Sequence, residues 1–327
     1  MNTQPLEVSI TVVPDQQMHD GNPFPLAYQC ETEEATVSDA VTWAQAHADE
    51  LLAHLSENGA LLFRGFPLAS AEDFDAFAQA FNLPSFSYDD SLSNAVRVNY
   101  TPRVFSANEA PSEATINLHH EMAQTPIYPS KLFFFCHTAA DKGGASSICR
   151  SDTLWSQLEE SCPEFARACE EKGLKYSHTM TPEEDAQSGQ GRSWKSTFGV
   201  KTREEVEARM TELGYTWEWL EDDTLRVTSP TLPAVRELTN GRKSFFNQLI
   251  AALSWNDSGK DALATVTFGD GSPLDIEGAT TAERLAEELI FDVAWQEGDV
   301  ALVDNYIAMH GRRNFEGKRK LLASFAA

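Results

Sequence analysis

Disulfide-forming potential is scarce in this chain. Its five cysteines (Cys30, Cys136, Cys149, Cys162 and Cys169) are odd in number and form no CxxC pair. That spacing argues against a zinc ribbon or a disulfide framework and fits free thiols in a reducing cytoplasm. Basic residues are scarce as well, with 25 Lys and Arg against 50 Asp and Glu and a formal net charge of −25. So acidic a surface repels phosphate backbones, which removes nucleic acid from the expected partners. Any anionic ligand must therefore be held by a local cluster of Arg or Lys. No run of eighteen apolar residues occurs, so no membrane span is expected. The opening residues lack a basic segment followed by an apolar block, so no secretory signal is expected either. Internal repeats and low-complexity tracts are absent.

What remains is ordinary globular material. Hydrophobic residues make up 42% and charged residues 23% of the 327 positions, enough for a substantial core. The length suits one large β-barrel domain with helical insertions. Apolar residues Val41, Ala44, Ala48, Leu51, Leu52 and Leu55 recur at helical spacing and predict one helix over about 38–55, closed by Gly59. Residues 60–66 read as a buried strand, and Ser70 as the cap of a helix with Phe74, Phe77 and Phe81 on its apolar side. The aromatic run 131–137 predicts a strand. Capping boxes beginning at Ser161, Thr202 and Thr280 predict three more helices. Residues 225–227, 244–246, 264–268, 292–295 and 300–307 read as strands. Strands at both ends around a helical middle predict a mainly β fold, a double-stranded β-helix (jelly roll) core flanked by helices. A single domain over 1–327 would carry an insertion at about 150–245 between its halves.

The chemistry is concentrated in two segments. In His119-His120-Glu121, side chains two apart on a strand share a face, so His119 and Glu121 can meet one ion while His120 turns away. Far along the chain, Asp304-Asn305 follows an apolar run and His310 could complete the set. Two His and one carboxylate make a facial triad, which leaves open positions on ferrous iron for a co-substrate and O2. If 300–303 and 320–325 are neighbouring strands, Arg319 enters the same barrel mouth. Its guanidinium would take the distal carboxylate of 2-oxoglutarate bidentately. Only eight histidines exist, and each alone reads more readily as an ordinary hydrogen-bonded side chain.

At these residues the chain resembles the taurine dioxygenase (TauD/TfdA) family of Fe(II)/2-oxoglutarate oxygenases, in its clavaminate-synthase-like or syringomycin-biosynthesis-like branch. The shared motifs run from Arg103 to Pro111, His119 to Gln124, Pro129 to Phe135, through Gly143-Gly144, Trp194 to Phe198, Phe268 to Gly271, and Asp304-Asn305 with His310. The resemblance implies iron on His119, Glu121 and His310, with Arg319 holding 2-oxoglutarate and O2 as the second co-substrate. A hydroxyl after the paired glycines often assists; Ser146 is the candidate and Ser147 its rival. The second arginine with which taurine dioxygenase grips a sulfonate falls at Ala323, which disfavours taurine. Glu121 disfavours halogenation, since the related halogenases carry Ala or Gly there.

Hydroxylation of an unactivated C–H bond of a small substrate is the activity so implied, in specialised metabolism such as antibiotic biosynthesis. The substrate-site candidates within shared motifs are Arg103, Asn108, Glu109, Gln124, Trp194, Lys195, Asn247 and Arg312, a set suited to an amino acid or amino-acid-like group. Half of them would brace loops, Arg312 could pair with Asp304 or the co-substrate, and a buried Trp is more often core. Relatives in this branch include enzymes acting on amino acids tethered to a peptidyl carrier protein. Carrier proteins are usually acidic, and a charge of −25 opposes such docking; free and tethered substrates both stay open. Desaturation or ring closure would begin with the same hydrogen abstraction. A zinc hydrolase on the same ligands leaves Arg319 without a role, and a non-catalytic jelly-roll binding protein would not need the triad.

Overall fold

The computed structural model describes residues 6–88, 91–93, 95–107, 110–184, 191–253 and 265–327. Two sheets organise it. A seven-stranded sheet runs in the order Val8–Thr11, Leu26–Cys30, Ala60–Arg64, Val300–Asp304, Lys131–Thr138, Lys320–Ala326, Phe105–Ser106. All its pairs are antiparallel except Leu26–Cys30 with Ala60–Arg64. A four-stranded antiparallel sheet runs Ile290–Val293, Ser146–Arg150, Ala308–Arg312, Ile116–His119.

The apolar runs seen in the sequence are strands buried on both faces. Along Lys131–Thr138, Phe133 and Phe135 join Leu61, Phe63, Phe74 and Phe77 in a core under the amino-terminal helices. Leu132 and Phe134 point the other way, into a core shared with Ile148, Phe291 and Val293 of the smaller sheet. Val300 and Leu302 alternate with Ala301 and Val303 in the same manner. Side chains alternate across a strand, so a strand sandwiched between two apolar layers has no polar face.

Nine α-helices occur among the described residues, a more mixed composition than the mainly β expectation. The helix expected over 38–55 is two, Val37–Ala46 and Ala48–Asn58, broken at His47 (φ −109°, ψ 8°). Asp39 completes a capping box with Thr36, and Gly59 closes the second helix in the left-handed region at φ 80°. Ser70 and Thr202 cap their helices as read. Ser161 instead ends the helix Ser151–Ser161, and Pro163 starts the next one. Thr280 lies inside the helix Ile276–Glu288, which Asp275 caps. Residues 244–246 yield only the short strand Lys243–Ser244.

The segment between the neighbouring strands Ser146–Arg150 and Ile290–Val293 runs past 245, to residue 289. It holds helices and a four-stranded antiparallel sheet of its own, ordered Thr216–Trp219, Leu225–Thr228, Leu174–Met180, Val266–Phe268. The strand order corrects one more expectation. Val300–Asp304 and Lys320–Ala326 are not neighbours; Lys131–Thr138 lies between them and pairs with both. Among the described residues, no helix is long and apolar enough to cross a membrane.

Candidate metal centre

His119 is the last residue of the strand Ile116–His119, and the antiparallel register sets it directly opposite His310 on Ala308–Arg312. The two imidazole centroids lie 4.3 Å apart. The His119 Nδ1 is 2.8 Å from the Asn117 carbonyl oxygen. A proton on Nδ1 for that bond leaves Nε2 bare and available to a cation.

Glu121 does not sit on the strand, contrary to the alternation argument. The strand stops at His119, and Glu121 lies in the turn that follows, where Met122 takes φ 59°. Asn305 holds that turn. Its Oδ1 accepts from the Glu121 backbone N–H at 2.8 Å, and its Nδ2 donates to the carbonyls of Glu121 at 3.1 Å and Pro129 at 2.8 Å. The Asn305 carbonyl also takes the Nδ1 proton of His120, which is buried on the far side of the turn. The polar break after the strand Val300–Asp304 is therefore a clamp on the metal-ligand turn.

The result is a compact donor set. Glu121 Oε2 is 3.3 Å from His310 Nε2 and 3.8 Å from His119 Nε2, and the three ligating atoms all lie within 4.8 Å of one another. Facial ligands at about 2.1 Å from an ion stand roughly 3 Å apart, so two imidazoles and one carboxylate in this arrangement fit a divalent metal. Burial, with His119 beside it, brings His310 down to about 4, so its ring is neutral and able to ligate at pH 7. Burial alone would raise Glu121, but the two imidazoles against its carboxylate and the Arg97 charge hold it well below the usual carboxylate range.

His120 yields a pH prediction. Burial, aided by the neighbouring imidazoles, pushes it down to about 3. The unfolded chain takes up that proton near pH 6.5 while the folded chain refuses it, so metal-free stability falls as pH drops from 6.5 toward 3. Denaturant midpoints across that range should fall less steeply for His120→Gln than for the unaltered chain; equal slopes would refute the assignment.

Around the centre is a pocket whose described lining includes Arg97, Ile116, Phe134, Ser146, Arg312, Arg319 and Leu321. Arg319, just before the strand Lys320–Ala326, donates from Nε to the Gly144 carbonyl at 2.7 Å and from Nη2 to Ser146 Oγ at 3.3 Å. Gly144 has φ 70°, and a Cβ there would come within 2.9 Å of the Arg319 side chain, so this glycine makes room for Arg319. Burial, with Arg312 nearby, brings Arg319 down to about 10, still charged at neutral pH. Ser146 Oγ also accepts from Trp295 Nε1 at 3.0 Å. The rival Ser147 turns away and donates to Asp292 at 2.6 Å.

The other sequence candidates scatter. Arg312 reaches the pocket wall, but its guanidinium donates to the carbonyls of Ala110, Pro111 and Ala114. It does not pair with Asp304, which Lys131 holds at 3.2 Å. Arg103 leans toward Asp75 at 3.9 Å. Trp194 is buried in the inserted sheet's own core and donates to the Asp223 carbonyl, while Lys195 meets Glu183 at 3.3 Å. Asn247 bonds the Ala234 carbonyl and the Leu249 N–H. None of these four, nor Gln124, is among the described lining residues of the pocket. Asn108 and Glu109 lie outside the described residues. Sequence reasoning missed Arg97, Asn305 and Trp295. Asn305 stood inside a recognised motif, but no spacing rule shows what its amide meets, and Arg97 stands in no recognised motif.

Comparison with known proteins agrees with this geometry. The taurine catabolism dioxygenase TauD, TfdA family matches residues 22–324. A clavaminate synthase-like protein of Arabidopsis thaliana is 36% identical over 324 residues, covering 96% of this chain and 97% of that protein. The dapdiamide synthesis protein DdaC of Enterobacter agglomerans is 29% identical over 296 residues, covering 84% and 86%. The crystal structure of PvcB from Pseudomonas aeruginosa shares the fold at a TM-score of 0.56 and 15% identity, over 100% of this chain and 93% of that one. With the family matched over nearly the whole chain and a two-histidine, one-carboxylate centre at the end of its smaller sheet, the chain belongs to the TauD/TfdA family of Fe(II)- and 2-oxoglutarate-dependent dioxygenases.

Proposed function

We propose that this dioxygenase hydroxylates an unactivated C–H bond of a small amino-acid or amino-acid-derived substrate, free or on a peptidyl carrier protein, in cytoplasmic specialised metabolism. One observation carries the reading: three ligating atoms within 4.8 Å of each other share a pocket with Arg319 and Ser146. His119, Glu121 and His310 hold Fe(II), and Arg319 with Ser146 takes the distal carboxylate of 2-oxoglutarate. The two sheets form the halves of a jelly roll in a single domain over 1–327, with the segment after Arg150 inserted between two strands of the smaller sheet. The biosynthetic role in the name of DdaC supports a place in specialised metabolism.

When bound, iron with 2-oxoglutarate and O2 supplies the oxidising chemistry, taking a hydrogen from the substrate and returning a hydroxyl as 2-oxoglutarate becomes succinate and CO2. The protein contributes position and dryness. Asn117 fixes the His119 ring through Nδ1, and Phe134 packs against His310 at 5.1 Å. Ile116, Phe134 and Leu321 are apolar wall that limits water at the reacting face. Ser146, oriented by Trp295, holds Arg319 ready for a carboxylate.

The test is succinate formation from 2-oxoglutarate under air with ferrous iron. The unaltered chain should turn over, and His119→Ala should lose more than about 100-fold, since even outer-shell partners of a metal are worth 10–100-fold. The reading fails if the unaltered chain shows neither turnover nor the visible charge-transfer band of the anaerobic Fe(II)–2-oxoglutarate complex.

A further inference from the structure

Arg97 has no part in the scheme above, yet it lines the pocket beside Glu121 with a side chain only 6% exposed. Among the described residues most of its donors are unused. Nη1 donates to the Ser106 carbonyl at 3.2 Å. Nη2 stands 3.8 Å from Glu121 Oε1, beyond hydrogen-bond distance. The buried Nε has no partner among the described residues. A guanidinium carries five N–H donors and keeps its charge at any physiological pH. Leaving it so underpaired in a nearly dry wall is costly unless an anion completes it. Arg312 also leaves its Nε without a partner among the described residues, but its two terminal nitrogens donate to three backbone carbonyls, against one for Arg97.

Three acid groups at the centre could answer Arg97, Glu121 among the described residues and the two carboxylates of 2-oxoglutarate, and all three are engaged elsewhere. Glu121 Oε2, the oxygen nearest both imidazoles, is the one placed for the metal, so its charge is shared with the cation. The two carboxylates of 2-oxoglutarate are taken by the metal and by Arg319. Among the described lining residues, three arginines then face a single glutamate, in a chain whose net charge is −25. Local positive potential inside so acidic a protein selects an anion.

We propose that Arg97 binds the carboxylate of the substrate, and therefore that this enzyme takes a free acid instead of a carrier-tethered one. The inference rests on the oxygenase reading above. Tethering turns the carboxyl into a thioester, which is neutral and cannot form the paired hydrogen bonds a guanidinium makes with a carboxylate. Ala323, buried in the strand Lys320–Ala326, offers no cation.

The experiment uses the anaerobic Fe(II)–2-oxoglutarate form of the full chain. Free amino acids, N-acyl amino acids and 2-hydroxy acids are titrated beside their primary amides, read by melting temperature and by perturbation of the visible charge-transfer band. At least one acid should bind the unaltered chain, with its amide about tenfold weaker or worse, as expected when a charge-assisted pair is lost. Arg97→Gln should weaken that acid by about 30-fold or more while shifting its amide less than about threefold, and Arg97→Lys should recover part of the loss. The assignment is overturned if no acid binds, if amides bind as well as acids, or if Arg97→Gln leaves acid affinity unchanged. It is overturned too if that variant weakens 2-oxoglutarate itself, which would make Arg97 a co-substrate residue. A missing band in the unaltered chain sinks the oxygenase reading and this proposal with it; a normal band without acid–amide discrimination sinks only the role of Arg97.

Discussion

Arg319→Ala is expected to raise the 2-oxoglutarate concentration needed for half-maximal turnover by about 30-fold to a few thousand-fold. That range corresponds to about 2–5 kcal/mol for removing one member of a buried, hydrogen-bonded charge pair. The size of the effect follows from how firmly the guanidinium is placed before any ligand arrives. Gly144 accepts from Nε, Ser146 from Nη2, and Trp295 fixes the serine hydroxyl from behind. These bonds use only part of the five donors, so a carboxylate meets an oriented fork at little entropic cost. Arg319→Lys keeps the charge but loses the planar fork and should fall between the two. Titrating the charge-transfer band separates this from metal loss, because iron affinity should change far less than co-substrate affinity. An unaltered apparent affinity for 2-oxoglutarate in Arg319→Ala would place the distal carboxylate elsewhere.

Asn305→Ala should damage both the fold and the metal centre, although Asn305 touches no metal-ligand side chain. Its fully buried amide makes three hydrogen bonds, one to the N–H and one to the carbonyl of Glu121, and one to Pro129. Alanine leaves those three backbone groups buried and unpaired, at about 1–3 kcal/mol for each that finds no substitute. Global stability should drop by about 2–4 kcal/mol, read from the denaturant midpoint of the metal-free protein. Metal affinity should fall about 10–100-fold, the usual consequence of losing an outer-shell partner, because the turn would no longer present Glu121 to the two imidazoles. Titration with Fe(II) or Co(II) under anaerobic conditions reads this directly. Asn305→Asp is no rescue, since a carboxylate would face the Glu121 and Pro129 carbonyls. If Asn305→Ala binds metal as tightly as the unaltered chain, the turn is held by its own backbone and the clamp is incidental.

The donor types were readable without coordinates. His119, Glu121, His310 and Arg319 carry chemistry that few other residues supply, and their order along the chain matches a known pattern. The two-faced apolar strands could be read as strands, because 131–137 and 300–303 are short, aromatic or β-branched, and bounded by polar breaks. The cap at Ser70 and the capping box at Thr202 were legible because a cap is a contact between residues three apart. All of these are statements about composition or near neighbours in the chain.

What required the tertiary structure is everything set by pairing at long range. A strand apolar on both faces reads the same whichever strand lies beside it, so nothing local shows that Lys131–Thr138 separates Val300–Asp304 from Lys320–Ala326. Ser146 and Ser147 are equivalent in sequence; pairing with Ile290–Val293 and the position of Trp295 decide that one faces Arg319 and the other Asp292. Trp194, Lys195 and Asn247 lie in shared motifs but serve the inserted segment's packing, which only burial and bonded partners disclose. Arg97 and Asn305 owe their places to contacts spanning 24 and 184 residues. The sequence by itself determined which side chains could ligate a metal and bind an acid. The folded chain alone decided which of them share one dry pocket, because desolvation and directional hydrogen bonds act on neighbours in space.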